Sequence, residues 1–149
     1  MLHVTAAFLF VGGSVAAGIL NTLAVRSELP SEIAALLGLI RRTLPVIFVG
    51  VFGTLLFGVW LWHDLHYSLG AAWIWLSLAL WVVANALGGI GGRRQEQTRK
   101  LAERLAGEGD RPSSELHAAL RDPVAHALNY GAGLATLAIL ALMVWRPGS

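Results

Sequence analysis

Five histidines are the residues of this chain with the widest chemical reach. There is no cysteine, which excludes disulfides, thiolate metal sites and cysteine nucleophiles. No His-Glu-x-x-His motif, Walker sequence or serine-centred elbow is present either. Imidazole is the commonest protein ligand for transition metals, and it also ligates haem iron. His63 and His66 stand three apart, a spacing that places both on one helix face if that helix extends one further turn. His3 opens an otherwise uncharged apolar run, and His126 lies one turn into the last apolar run with Asn129 and Tyr130 after it. Two chemistries fit this set. One is a b-type haem held through His3 with His66 or His63, with His126 as a further candidate ligand. The other is copper, with His3 and His66 as its ligands. The plain alternative for each is an interfacial polar residue at a helix end. His117 lies in a polar stretch, where solvation is expected.

Positioning these residues requires elements that the composition identifies. Of 149 residues, 56% are hydrophobic and 13% charged, and the mean hydropathy is +0.63. Twenty Asp, Glu, Lys and Arg residues in two short regions cannot cover a soluble protein of this size, so the remaining surface faces lipid. Four apolar runs are each long enough to cross the hydrocarbon core, at about 2–25, 44–62, 71–90 and 124–145. No basic segment precedes the first run, so helix 1 is expected to stay in the membrane. Pro45 near the start of span 2 is either a first-turn proline or, if the helix begins back at Ser31, a residue inside it. Ser31 is the expected N-cap there, with Glu32 favourable in the first turn. Gly88 to Gly92 is expected to end span 3. Residues 91–123 form a basic loop containing a surface helix, with an apolar stripe at Leu101, Ala102, Leu105 and Ala106 and an i,i+4 pair of Glu96 and Lys100. Asp122 is the expected cap of span 4, with Pro123 at its first position.

The charges set an orientation. Ten of the eleven Lys and Arg residues lie in loops 1–2 and 3–4, and loop 2–3 has none. By the positive-inside rule the two basic loops are cytoplasmic, and both termini and loop 2–3 are outside. Trp60, Trp62, Tyr67, Trp73, Trp75 and Trp145 then gather toward the outer interface, as amphipathic rings do. The pI of about 9.7 thus reflects topology, not nucleic-acid binding.

Within lipid, helices associate by close packing of small residues. Three ridges offer this: Ser14, Gly18 and Thr22; Gly50, Thr54 and Gly58; and Ala127, Gly131 and Ala135. Asn85 and Asn129 are expected to hydrogen-bond between helices. The spans hold no Asp, Glu, Lys or Arg, which argues against an ion pump or a transporter built on buried carboxylates.

The opening Leu2-His3-Val4, the later Phe10-Val11-Gly12-Gly13, and the closing Leu142-Met143-Val144-Trp145-Arg146-Pro147 resemble a group of small bacterial membrane proteins. That group includes CopD-type copper-resistance membrane domains, HemJ-type protoporphyrinogen oxidases and a related four-helix family of unassigned function, which the length and the basic loop 3–4 fit best. The HemJ resemblance implies a haem b associated with the helix-1 histidine, here His3, and with a lysine. The chain departs from that pattern at Arg146, because arginine stays protonated and cannot ligate iron. The CopD resemblance implies copper passage, but Met1 and Met143 are the only soft ligands.

The expectation is therefore an all-α integral membrane protein, an antiparallel four-helix bundle in one domain with both termini outside the cytoplasm, in the cell inner membrane. Its expected function is redox-related, binding haem b or, as the lesser alternative, copper. The rival is a non-catalytic subunit that packs in a larger membrane complex or dimerises. Whether it is an enzyme stays open.

Overall fold

The computed structural model describes residues 1–64 and 72–145. All regular structure among them is helical: α1 (Leu2–Arg26), α2 (Pro30–Asp64), α3 (Ala72–Gly107), α4 (Ser114–Leu120) and α5 (Pro123–Trp145). Helices α1, α2 and α3 and the run Ser114–Trp145 are each long and apolar enough to cross a membrane. The expected all-α class with four apolar helices is what the chain adopts. It forms two compact units, one of residues 1–67 with 99–117 and one of 68–98 with 118–149.

In the first unit α1 and α2 run antiparallel in a close seam. A side chain at Gly50 would meet the Phe10 Cα at 2.8 Å and the Ala6 carbonyl at 2.9 Å. One at Gly13 would meet Ile47 at 2.7 Å, and one at Gly53 would meet the Ala6 methyl at 3.1 Å. Lipid supplies no hydrophobic drive between helices, so backbone approach through missing side chains takes its place. The ridge Gly50, Thr54, Gly58 is thus on the packing face as expected. The ridge Ser14, Gly18, Thr22 is not. All three residues are exposed, and nothing lies within 4 Å of a side chain built at Gly18. The Ser14 and Thr22 hydroxyls donate instead to the carbonyls of Phe10 and Gly18, one turn back at 2.8 and 2.9 Å, and so need no neighbouring helix. The seam of α1 is carried by Ala6, Phe10, Gly13, Ala17, Leu20 and Ala24, all buried or half-buried at alternating four- and three-residue spacing.

Helix α2 begins at Pro30, fourteen residues before the apolar run alone suggests, so Pro45 lies inside it. Ser31 is therefore not the cap. Its backbone N–H donates to Asp110 Oδ1 at 2.8 Å, and its hydroxyl donates to Asp110 Oδ2 at 2.6 Å. The capping group comes from 79 residues away. Asp110 sits at φ 48 after Gly109 at φ 131, the left-handed turn that follows the end of α3. Ile33, Leu37 and Ile40 of α2 are buried, as are Ala24, Ala102 and Leu116 of the same unit. Among the described residues the largest fully buried side chains are Ile33, Leu116 and Pro30, at this charged end. Where water surrounds such a cluster, burial of an Ile or Leu contributes roughly 2 kcal/mol, a term absent between helices in lipid.

Glycines 88 to 92 do not end α3, which continues to Gly107 and absorbs the expected surface helix. Hydropathy falls there, but leaving the apolar phase does not break i→i−4 bonding, and the cost of about 1 kcal/mol per glycine is met by the helix on both sides. Arg99 pairs with Glu103, and Arg104 with Glu108, at i,i+4 along the extension. In the second unit α3 packs antiparallel on α5. A side chain at Gly91 would meet Asn129 Oδ1 at 2.7 Å, and one at Gly131 would meet Leu87 at 3.1 Å. Of the span-4 ridge, Ala135 is buried, Gly131 half-buried and Ala127 exposed. The Asn85 amide donates to the Trp81 carbonyl of its own helix at 2.8 Å, rather than to another helix.

Asp122 caps α5 as expected. Its Oδ1 accepts the Val124 N–H at 3.0 Å, and its Oδ2 accepts Arg94 Nη1 at 2.6 Å. The Val124 bond first, and Arg94 after it, hold this carboxyl below the usual aspartate range, with partial desolvation opposing them. The folded state therefore binds this proton less readily than the unfolded chain. The stabilisation is fully present above the unfolded aspartate range and is lost as pH falls through the lowered value. Asp122→Asn is expected to lower the detergent melting temperature at neutral pH by a few degrees, with the difference from wild type closing on acidification. A pH-independent difference would contradict this assignment.

Candidate functional site

The seam between α1 and α2 positions His3. The histidine lies in the first turn of α1 and is half-buried. Its Nδ1 is 3.0 Å from the Thr54 carbonyl oxygen. A carbonyl only accepts, so Nδ1 carries the proton and donates. In the neutral ring the lone pair then belongs to Nε2. This is the state in which a ligating histidine is usually held, with one ring nitrogen donating to a backbone carbonyl and the other left for a metal.

The local sequence of α2 makes that bond accessible. Inside a helix the Thr54 carbonyl already accepts the Gly58 N–H, and its second lone pair is reached only past the side chain one turn on. That residue is glycine. A Cβ at Gly58 would stand 3.2 Å from His3 Cε1 and 3.4 Å from Nδ1, tight against the imidazole. The Thr54 hydroxyl is turned to its own helix, donating to the Gly50 carbonyl at 2.7 Å. Gly50, Thr54 and Gly58 therefore have separate tasks: backbone approach, carbonyl acceptor and space for the ring. Phe57 and Trp60 lie in the same turns, with ring centroids 6.5 Å apart.

The other candidates are placed differently. His63 is exposed in the last turn of α2. It stands five residues beyond Gly58, about 7.5 Å further along the axis and about 140° around it, so it does not share the face that meets His3. His66 and Arg146 lie outside the described residues. His126 is half-buried in the first turn of α5, its ring 6.4 Å from Tyr130, and it belongs to the other unit. His117 is half-buried, and its Nδ1 donates to the Ser113 carbonyl at 2.9 Å, tying it to the start of its own helix. Among the described residues no group of three or more His, Cys, Asp or Glu side chains stands together as a metal centre would require. The structure thus gives His3 a backbone acceptor, the Thr54 carbonyl, that the histidine pattern did not indicate. The feature that could have narrowed it down was the small-residue ridge, which marks where α1 approaches closely enough for a side chain to reach the α2 backbone.

No curated protein and no solved structure matches the chain. A family model does match, over residues 1–147, and its description is that of a predicted integral membrane protein. With four apolar helices and almost its whole length covered, this multi-pass membrane protein belongs to the DUF2269 family of predicted integral membrane proteins.

Proposed function

We propose that the protein is a haem-binding membrane bundle of the inner membrane, with both termini and the His3 end outside the cytoplasm. The observation that supports this reading is the bond from His3 Nδ1 to the Thr54 carbonyl, which in the neutral ring leaves the Nε2 lone pair for a ligand. The donor set fits haem b better than copper: one imidazole oriented by a backbone carbonyl would suffice to hold haem iron, whereas copper needs several soft or imidazole donors together. Bound haem b would supply one-electron exchange at its iron. The residues of this chain would supply the rest: His3 as an iron ligand, Thr54 to fix its tautomer, Gly58 to leave room for the ring, and His66 as the second ligand. The resemblance to HemJ-type and CopD-type proteins belongs to this reading, as does the orientation drawn from the arginine-rich loops.

The test is the absorption spectrum of detergent-purified protein from haem-replete cells, oxidised and then reduced with dithionite. A Soret band with α and β bands that sharpen on reduction is expected, and His3→Ala is expected to lose it while remaining folded by circular dichroism. A featureless wild-type spectrum would overturn the haem reading and leave copper to metal analysis. The second reading, an accessory subunit or homodimer, is favoured by the exposed ridge Ser14, Gly18, Thr22, whose close-packing surface faces away from the α1–α2 seam. Co-purification of a larger membrane assembly without bound chromophore would support it.

A further inference from the structure

The α1–α2 turn forms an open groove of about 580 Å³, lined by Leu23, Arg26, Glu28, Leu29, Glu32 and Leu36 among others. Its volume falls within the usual range of small-molecule clefts. The chemistry of its lining is uneven in a useful way. Leu23, Leu29 and Leu36 make an apolar wall, and Arg26, Glu28 and Glu32 are exposed at the rim. Among the described residues none of these three charges is in an ion pair. The groove lies where a spanning helix ends, which is headgroup depth on whichever side of the membrane it faces.

We propose that this groove binds the headgroup of an aminophospholipid. The primary ammonium is held between the Glu28 and Glu32 carboxylates, the phosphate sits on the Arg26 guanidinium, and the leucines cover the start of an acyl chain. The choice of lipid follows from charge. An anionic headgroup without an amine would set its phosphate on Arg26 and place its remaining polar part against two carboxylates. A choline headgroup has the positive charge but no N–H to donate, so it forfeits the charge-assisted hydrogen bonds that carboxylates form with an ammonium. The inference is independent of the haem reading, since it uses neither His3 nor the orientation of the chain.

The test is native mass spectrometry of the full chain released from detergent with equimolar palmitoyl-oleoyl phosphatidylethanolamine, phosphatidylcholine and phosphatidylglycerol. Retention of the ethanolamine lipid about fivefold over the choline lipid is expected, the size of one partly exposed charged contact. Glu28→Gln combined with Glu32→Gln is expected to remove that preference. Arg26→Gln is expected to weaken all three lipids together, because the phosphate is common to them. Both glutamates are exposed, so the double variant leaves the helix seam intact. Equal retention of ethanolamine and choline lipids by the wild type would overturn the proposal. So would a preference for phosphatidylglycerol, or an ethanolamine preference that survives the double substitution.

Discussion

Gly50→Ala is expected to destabilise the protein by about 3 kcal/mol, at the upper end of what overpacking costs. The added methyl has no side chain to push aside. What it meets is backbone, the Phe10 Cα at 2.8 Å and the Ala6 carbonyl at 2.9 Å, so α1 itself must move off α2. Gly18→Ala is the contrasting case. The same atom is added to the other face of the partner helix, where nothing lies within 4 Å, and alanine is the better helix former by about 1 kcal/mol. One substitution therefore lowers the detergent melting temperature while its counterpart holds or raises it. Equal effects of the two would mean that the seam is not where the structure puts it. The Gly50 variant carries a functional reading as well. Moving α1 away lengthens the reach from His3 to the Thr54 carbonyl, so any chromophore held through His3 is lost from Gly50→Ala along with the stability.

Asp110→Ala is expected to cost about 2–3 kcal/mol, from two separable sources. The first is the cap: Ser31 loses acceptors for its N–H and its hydroxyl, worth about 1–2 kcal/mol. The second is the backbone, because φ 48 is costly for an alanine by about 1 kcal/mol or more, whereas aspartate and asparagine tolerate it. A short series divides them. Asp110→Gly removes the cap and relieves the backbone, so it should be less damaging than alanine. Asp110→Asn keeps a carbonyl oxygen for the Ser31 N–H and should be the mildest. The measurement is thermal unfolding of all three, with hydrogen exchange over residues 99–117 to show local opening. If alanine and glycine melt together, the left-handed turn carries no cost. If all three match wild type, the link between Ser31 and Asp110 is ornamental.

The positions of these residues show what the sequence could and could not announce. Four apolar runs announced four spanning helices, since transfer to lipid depends on composition alone. The small-residue ridge of α2 was legible because only one of its faces carries Gly50, Thr54 and Gly58. Helix α1 has small residues on two faces, and hydroxyl-bearing Ser14 and Thr22 made the wrong one conspicuous. Their hydroxyls are satisfied by the preceding turn, which a pattern of residue types does not reveal. The far end of α3 was misjudged for a related reason. A run of glycines with arginines after it marks the edge of the hydrocarbon, but the backbone continues its hydrogen bonding across that edge to Gly107. The cap of α2 was out of reach altogether, because Ser31 looked sufficient for the task and its actual partner is Asp110. His3 was legible as a chemical candidate. Its acceptor was not, since a helical carbonyl is a property of every residue and only the close approach at Gly58 singles out the one at Thr54.

The clasp between Ser31 and Asp110 also orders events during synthesis. Helices α1 and α2 can enter the bilayer and find their seam as soon as they leave the ribosome, because their contacts are local in the chain. The cap of α2 is different. Ser31 finds its acceptor only once Asp110 has been translated, after the whole of α3, so until then the first turn of α2 lacks the carboxylate that receives its N–H and its hydroxyl. A nascent chain arrested before residue 110 would thus carry an uncapped, fraying helix start. Synthesis of the left-handed turn after α3 is the step that closes it.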